Sequence, residues 1–187
     1  MTEAHYPPLD LYVFDVILYP VQIKNESKLV PMKVGWNLIA LCFEPASNNT
    51  ADVLSSIAGN YTTVKKYDAS SHSWVDATKM DRGTGYFVNV TQECTWNHTG
   101  TNVTSSMDIP LKGGLNLVGY PFNKTANTDD ALSGLSYYYA APFDATAQKY
   151  DKTFNPAAPA PFNDFTTIEP CMGFWISAKS PQTWTAS

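Results

Sequence analysis

Charge is scarce in this chain. Asp, Glu, Lys and Arg together make up 16% of its 187 residues, and the formal net charge is −5. The twelve Lys and Arg are scattered without a basic run, which argues against nucleic acid as a partner. Long apolar runs are also missing. None reaches the roughly 18 residues of a membrane-spanning helix, so no transmembrane segment is expected. The first residues lack a basic stretch followed by an apolar core, so no secretory signal peptide is visible in them.

Catalytic signatures are absent too. There is no G-x-S-x-G, H-E-x-x-H, phosphate-binding loop, dinucleotide fingerprint or EF-hand calcium loop. The three histidines, His5, His72 and His98, fall in the N-terminal segment, a polar turn and an Asn-x-Thr tripeptide. None stands beside a nucleophile in a recognisable motif. Asp129 and Asp130 are adjacent carboxylates, but neighbouring helix residues diverge in direction. They suit the electropositive start of a helix better than paired acid–base chemistry. The expectation is therefore a non-catalytic protein, with no catalytic, cofactor-binding or metal-binding residue and no cofactor.

Cysteine is sparse as well. Cys42, Cys94 and Cys171 are the only three. They form no C-x-x-C and have no neighbouring histidines, a poor basis for a zinc site. As disulfide candidates they allow one intramolecular bond and one spare thiol. Cys42–Cys94 is the preferred pair because both lie in the same half of the chain; three buried free thiols are the alternative.

What the chain does have is a line written twice. "VGWNLIALCFEP" (Val34 to Pro45) returns 79 residues later as "GGLNLVGYPFNK" (Gly113 to Lys124). The match extends through "TADVLSSIAG" and "TDDALSGLS", then "VKKYDASSHSW" and "AAPFDATAQKY". It closes on "GYFVNVTQECTW" and "GFWISAKSPQTW". Two copies of this length indicate a tandem duplication rather than a solenoid. The boundaries expected are an N-terminal strand segment at 1–29, a first unit at 30–104 and a second at 105–187. The second unit carries a Pro/Ala-rich insertion at 151–165, read as an extended surface loop.

Hydrophobic residues at 44% can furnish packed cores. Val, Thr, Tyr and Trp dominate segments punctuated by polar turns, so the fold class expected is mostly β (β-rich α+β). Each unit is read as sandwich- or barrel-like with one short helix, capped by Thr50 or Thr128. Strands are expected at Trp36–Phe43 (and Leu115–Phe122), Thr62–Ala69, Ser73–Ala77, Tyr86–Thr91 and near Cys94–Trp96. Gly35 and Gly114 precede a strand, and Gly85 and Gly173 precede aromatic pairs, where close backbone approach or positive φ is expected. Trp36/Leu115, Leu38/Leu117 and Ile39/Val118 are expected to face a core. Tyr137, Tyr138 and Tyr139 form a run in which some rings must point outward. Exposed aromatics of this kind anchor interfaces or stack on sugars.

Asparagine stands in the pattern N-x-S/T at Asn25, Asn48, Asn60, Asn89, Asn97, Asn102 and Asn123. Ser and Thr number 33, so chance would supply about two such tripeptides among thirteen asparagines. The excess points to an exported chain carrying covalent N-glycans. The last 64 residues have none, which suggests a surface covered by a neighbouring subunit. Residues 9–23, "LDLYVFDVILYPVQI", are apolar on both alternating faces, with Leu11, Val13 and Ile17 on one and Phe14, Val16 and Leu18 on the other. Such a strand requires burial on both sides. It is either a bridging strand of its own chain or an assembly strand donated to another copy.

The repeated line, followed by the helix, "VKKYD", Trp74 and "GYFV", resembles the G-W-N-L-I-S-L-P type repeat of archaeal and bacterial S-layer-like and cell-surface proteins. The resemblance covers roughly residues 30–187. It implies a structural module and brings no catalytic residues. Cys42 replaces the proline expected in the motif, whereas Pro121 keeps it, and Gly113-Gly114-Leu115 replaces the Trp in the second copy. The expectation is an extracellular structural subunit that self-assembles with identical subunits into an envelope layer, sheath or filament. A glycan-binding or adhesion module is the alternative.

Overall fold

The structure is a computed structural model that describes residues 25–187. The assembly strand expected from Leu11, Val13, Phe14, Val16, Ile17 and Leu18 lies outside the described residues. The chain is mostly β. Its first half contains β1 (Asn25–Met32), β2 (Gly35–Ile39), the one-turn helix α1 (Thr50–Val53), β3 (Tyr61–Asp68), β4 (Ser73–Asp76), β5 (Tyr86–Val90) and β6 (Cys94–Thr101). The second half contains β7 (Met107–Leu111), β8 (Gly114–Gly119), β9 (Ala126–Asn127), α2 (Thr128–Ala131), β10 (Tyr137–Pro142), β11 (Thr167–Ile168), β12 (Gly173–Ala178) and β13 (Gln182–Ala186). The sheets have the orders β2-β5-β3-β4 and β10-β12-β8, and the ribbons β1-β6, β7-β13 and β9-β11 complete the set. All pairings are antiparallel.

Alternation places the strands. In β6, Trp96, His98 and Gly100 point inward while Thr95, Asn97 and Thr99 face solvent. Trp96 and Trp184 close the last strand of each half over its helix. Trp96 Nε1 donates to Val53 O at 2.9 Å and Trp184 Nε1 to Ala131 O at 2.8 Å, so each buried indole has its acceptor. Two cores result. One gathers Met32, Leu41, Phe43, Leu54, Met80, Tyr86 and Trp96; the other gathers Leu111, Tyr120, Leu132, Phe165, Phe174 and Trp184.

The turn before β2 and β8 is held by one polar residue in each. Asn37 Oδ1 accepts from Lys33 N at 2.8 Å, and Asn37 Nδ2 donates to Lys33 O (2.7 Å) and Gly35 O (3.0 Å). Asn116 makes the corresponding bonds to Lys112 N, Lys112 O and Gly114 O at 2.8, 2.8 and 2.9 Å. Both asparagines are buried. Gly35 and Gly114 have φ of +94° and +92°, a region that favours glycine.

The halves meet through reciprocal contacts. Ala40 N donates to Cys171 O at 2.8 Å, and Gly119 N, at the aligned position, donates to Gly83 O at 3.0 Å. Ile39 bridges Met172, and Val118 bridges Thr84. A Cβ on Gly173 would lie 2.9 Å from Ile39 O, and one on Gly85 would lie 2.8 Å from Val118 O. Glycine at these positions lets the two backbones touch.

Several details depart from the sequence reading. The strand expected over Trp36–Phe43 ends at Ile39, and Ala40–Phe43 run fully buried into the seam between the halves. Asn49 and Asn127, not Thr50 and Thr128, occupy the N-cap positions, and only Asn127 caps with its side chain. Asn127 Oδ1 accepts from the N–H of Asp129 and Asp130. Thr50 instead turns its hydroxyl to Ala77 O at 2.6 Å. The last strand of the first half continues from Cys94 to Thr101. The 151–165 insertion is not wholly a surface loop. Phe154 and Phe165 are buried in the second core, and Phe154 exchanges two backbone bonds of 2.8 Å with Ala140. Leu115 is exposed rather than in a core.

Candidate functional site: an aromatic cleft between the halves

The outer faces of the two larger sheets pack on each other. Residues spaced by two share a face, so β2 presents Trp36 and Leu38, β5 presents Phe87, and β3 presents Tyr67. These meet Leu117, Trp175 and Phe143 of the second half in a third apolar cluster. Phe87 is its hub. Its ring lies 6.1 Å from Trp36, 5.5 Å from Trp74 and 5.2 Å from Phe143, all edge-on, the geometry aromatic quadrupoles favour.

One side of this cluster is open. A cleft of about 430 Å³ is lined by Trp36, Lys65, Trp74, Phe87, Phe143 and Tyr150. Trp74 is 48% exposed and Tyr150 49%. The Tyr150 hydroxyl accepts from Trp175 Nε1 at 3.0 Å, and burial raises its pKa above the ordinary phenol value. Lys65 Nζ sits 2.7 Å from Asp76 at the rim. Gln148 fixes the turn that carries Tyr150. It accepts from Trp36 N (2.8 Å) and donates to Trp36 O (2.9 Å), which anchors the second half to the edge of β2. The Asp68 carboxylate accepts from Ser71 Oγ at 2.7 Å and Ser70 N at 2.8 Å, and Asp144 from Ala147 N at 2.9 Å and Thr146 N at 2.7 Å. These bonds hold both carboxylates below their usual pKa.

The cysteines are placed differently from expectation. Cys42 pairs with Cys171, Cα atoms 4.8 Å apart, and not with Cys94. The bond spans the seam and closes 129 residues of chain. Across the seam, the counterpart of Cys42 is Pro121. There Arg82 takes over the brace, with Nε and Nη2 donating to Pro121 O at 3.1 and 2.7 Å. Its guanidinium also lies 5.7 Å from the Phe122 ring centre and 3.8 Å from Glu44 Oε2. Cys94 is a free, half-buried thiol, and burial raises its pKa.

All seven N-x-S/T asparagines reach the surface. Asn25, Asn97 and Asn102 are exposed; Asn48, Asn60, Asn89 and Asn123 are half-buried. The two fully buried asparagines, Asn37 and Asn116, stand outside that pattern. Of the tyrosine run, Tyr137 is buried while Tyr138 and Tyr139 are exposed. His98 is buried, stacked 4.8 Å from Trp96, with its Nε2 accepting from Phe43 N at 3.2 Å. Burial pushes its pKa down to about 4. Among the described residues, no cluster of three or more His, Cys, Asp or Glu could hold a metal ion. No helix among them is long and apolar enough to cross a membrane. The chain matches no family model, no curated protein and no solved structure.

Proposed function

We propose that this chain is a non-catalytic extracellular structural subunit, a duplicated β module that assembles with copies of itself into an envelope layer, sheath or filament. The observation that carries this reading is the double brace across the seam. A disulfide on one side and a buried arginine on the other lock two small cores into one block. A disulfide persists in oxidising surroundings, which supports placement outside the cell. The surface position of every N-x-S/T asparagine supports glycosylation there. The apolar residues 9–23 supply a candidate strand for joining subunits. Sedimentation velocity over a wide concentration range tests this reading. Species growing with concentration, and lost on deletion of residues 1–24, are expected. A monomer at every concentration would refute it.

The open cleft favours a second reading, a glycan-binding or adhesion module. Trp36, Trp74 and Tyr150 offer aromatic platforms of the kind that stack on sugar rings. Saturable quenching of tryptophan fluorescence by free saccharides, abolished by Trp74→Ala, would support it. Absence of any response across a saccharide panel would eliminate it.

A further inference from the structure

Asn89 stands apart from the other strand-borne N-x-S/T asparagines. It lies in β5, and the period of two puts it on the same face as Phe87. Directly across the ladder it faces Trp36 in β2 on one side and Thr63 in β3 on the other. Side chains opposed in this way have Cβ atoms about 5 Å apart. Asn89 is thus half-buried on the sheet face that carries Trp36, Phe87 and the aromatic cleft, and both of those rings line the cleft. Asn25 and Asn97 have no such surroundings. They face Thr101 and Leu29 on the outer side of the β1-β6 ribbon.

We propose that Asn89 is N-glycosylated and that its first sugar ring lies on the Trp36 indole, capping the aromatic cleft of its own chain. This rests on the reading that the protein is exported and glycosylated. The donor is a lipid-linked sugar phosphate. Asn89 Nδ2 loses a proton and bonds to the sugar's C1, the C1–O bond to the phosphate breaks, and the phosphate leaves with that electron pair. The C–H face of a pyranose is apolar and matches an indole face, as an aliphatic partner would. Among the described residues the Trp36 Nε1–H has no protein acceptor, so a sugar hydroxyl can take it. The cleft is thereby filled from within the chain, and Trp74 and Tyr150 bound its outer end.

The test uses full-length protein from a host that performs N-glycosylation. Glycopeptide mapping reads the seven sites. Thr91→Val then removes the Asn89 signal while keeping side-chain shape, since the backbone N–H of Thr91 that bonds Asn60 O remains. Trp36→Leu, the residue found at the aligned position 115, removes the platform. The expected result is an occupied Asn89, increased acrylamide quenching of Trp36 in Thr91→Val, and about a fivefold drop in the folding equilibrium constant. In the Trp36→Leu background the drop should vanish. An empty Asn89 with other sites occupied overturns this inference alone. Seven empty sites overturn the exported-glycoprotein reading with it. An equal effect of Thr91→Val in both backgrounds, or none in either, overturns the stacking.

Discussion

Lowering the pH from 8 to 5 should cost this protein about 2 kcal/mol of stability through His98 alone. The imidazole is buried against Trp96 and Phe43 and accepts the Phe43 N–H, so it must be neutral at that nitrogen. Burial holds its pKa at about 4 against the ordinary 6.5. A histidine whose folded pKa is depressed binds its proton more readily when unfolded. Stability is then fully present above pH 6.5 and falls as pH drops toward 4, because the unfolded chain takes up the proton first. Each pKa unit corresponds to about 1.4 kcal/mol. The loss therefore reaches about 2 kcal/mol at pH 5 and about 3 kcal/mol at pH 4, and is complete only below that. Urea denaturation of wild type and His98→Phe at pH 8, 6, 5 and 4.5 isolates the contribution. The variant leaves the Phe43 N–H without its acceptor and costs about 1–3 kcal/mol at every pH. It should, however, lose the extra slope between pH 6.5 and 4.5. The lowered carboxylates Asp52, Asp68 and Asp144 lose their contributions only at lower pH. Equal slopes for wild type and variant across that window would refute the burial of a neutral His98.

Reduction, or the pair Cys42→Ser and Cys171→Ser, releases a loop of 129 residues. Chain entropy sets a loss of up to about 5 kcal/mol, read as a lower urea midpoint; an unchanged midpoint would contradict the pairing, while Cys94→Ser should shift it little. Arg82→Met removes both bonds to Pro121 O, and a loss of about 1–3 kcal/mol is expected from the orphaned carbonyl. Asn37→Ala and Asn116→Ala should each cost about 1–3 kcal/mol, with hydrogen exchange quickening first at Lys33 or Lys112. Comparable protection of these amides in wild type and variant would remove the turn-clamp role.

Much of the fold was legible because the line is written twice. Gly35 and Gly114, Gly85 and Gly173, and the final Trp96 and Trp184 all stood at aligned positions, and each has a geometric role. Apolar periodicity alone skips the asparagine inside the same line. Its signal was available: an identical polar residue, Asn37 and Asn116, retained where flanking positions are Leu and Ile or Val. The helix starts are ambiguous by one residue in the sequence because Asn49-Thr50 and Asn127-Thr128 both offer capping side chains. Sequence proximity, the only guide the chain itself offers, favours a pair within one half. The true partner of Cys42 follows from Ile39 bridging Met172, a contact between residues far apart in the chain. The cleft was legible only as an excess of aromatics. Its position depends on two sheets packing by their outer faces, which alternation alone does not fix. Phe154 and Phe165 bury themselves despite a proline-rich context, because apolar area outweighs the irregular backbone around them.

Electron microscopy of the unreduced protein at high concentration tests the central claim most directly. The account predicts ordered sheets, tubes or filaments whose repeating unit is the braced two-core block. Discrete single particles at every concentration, with residues 1–24 present and the Cys42–Cys171 bond intact, would contradict it.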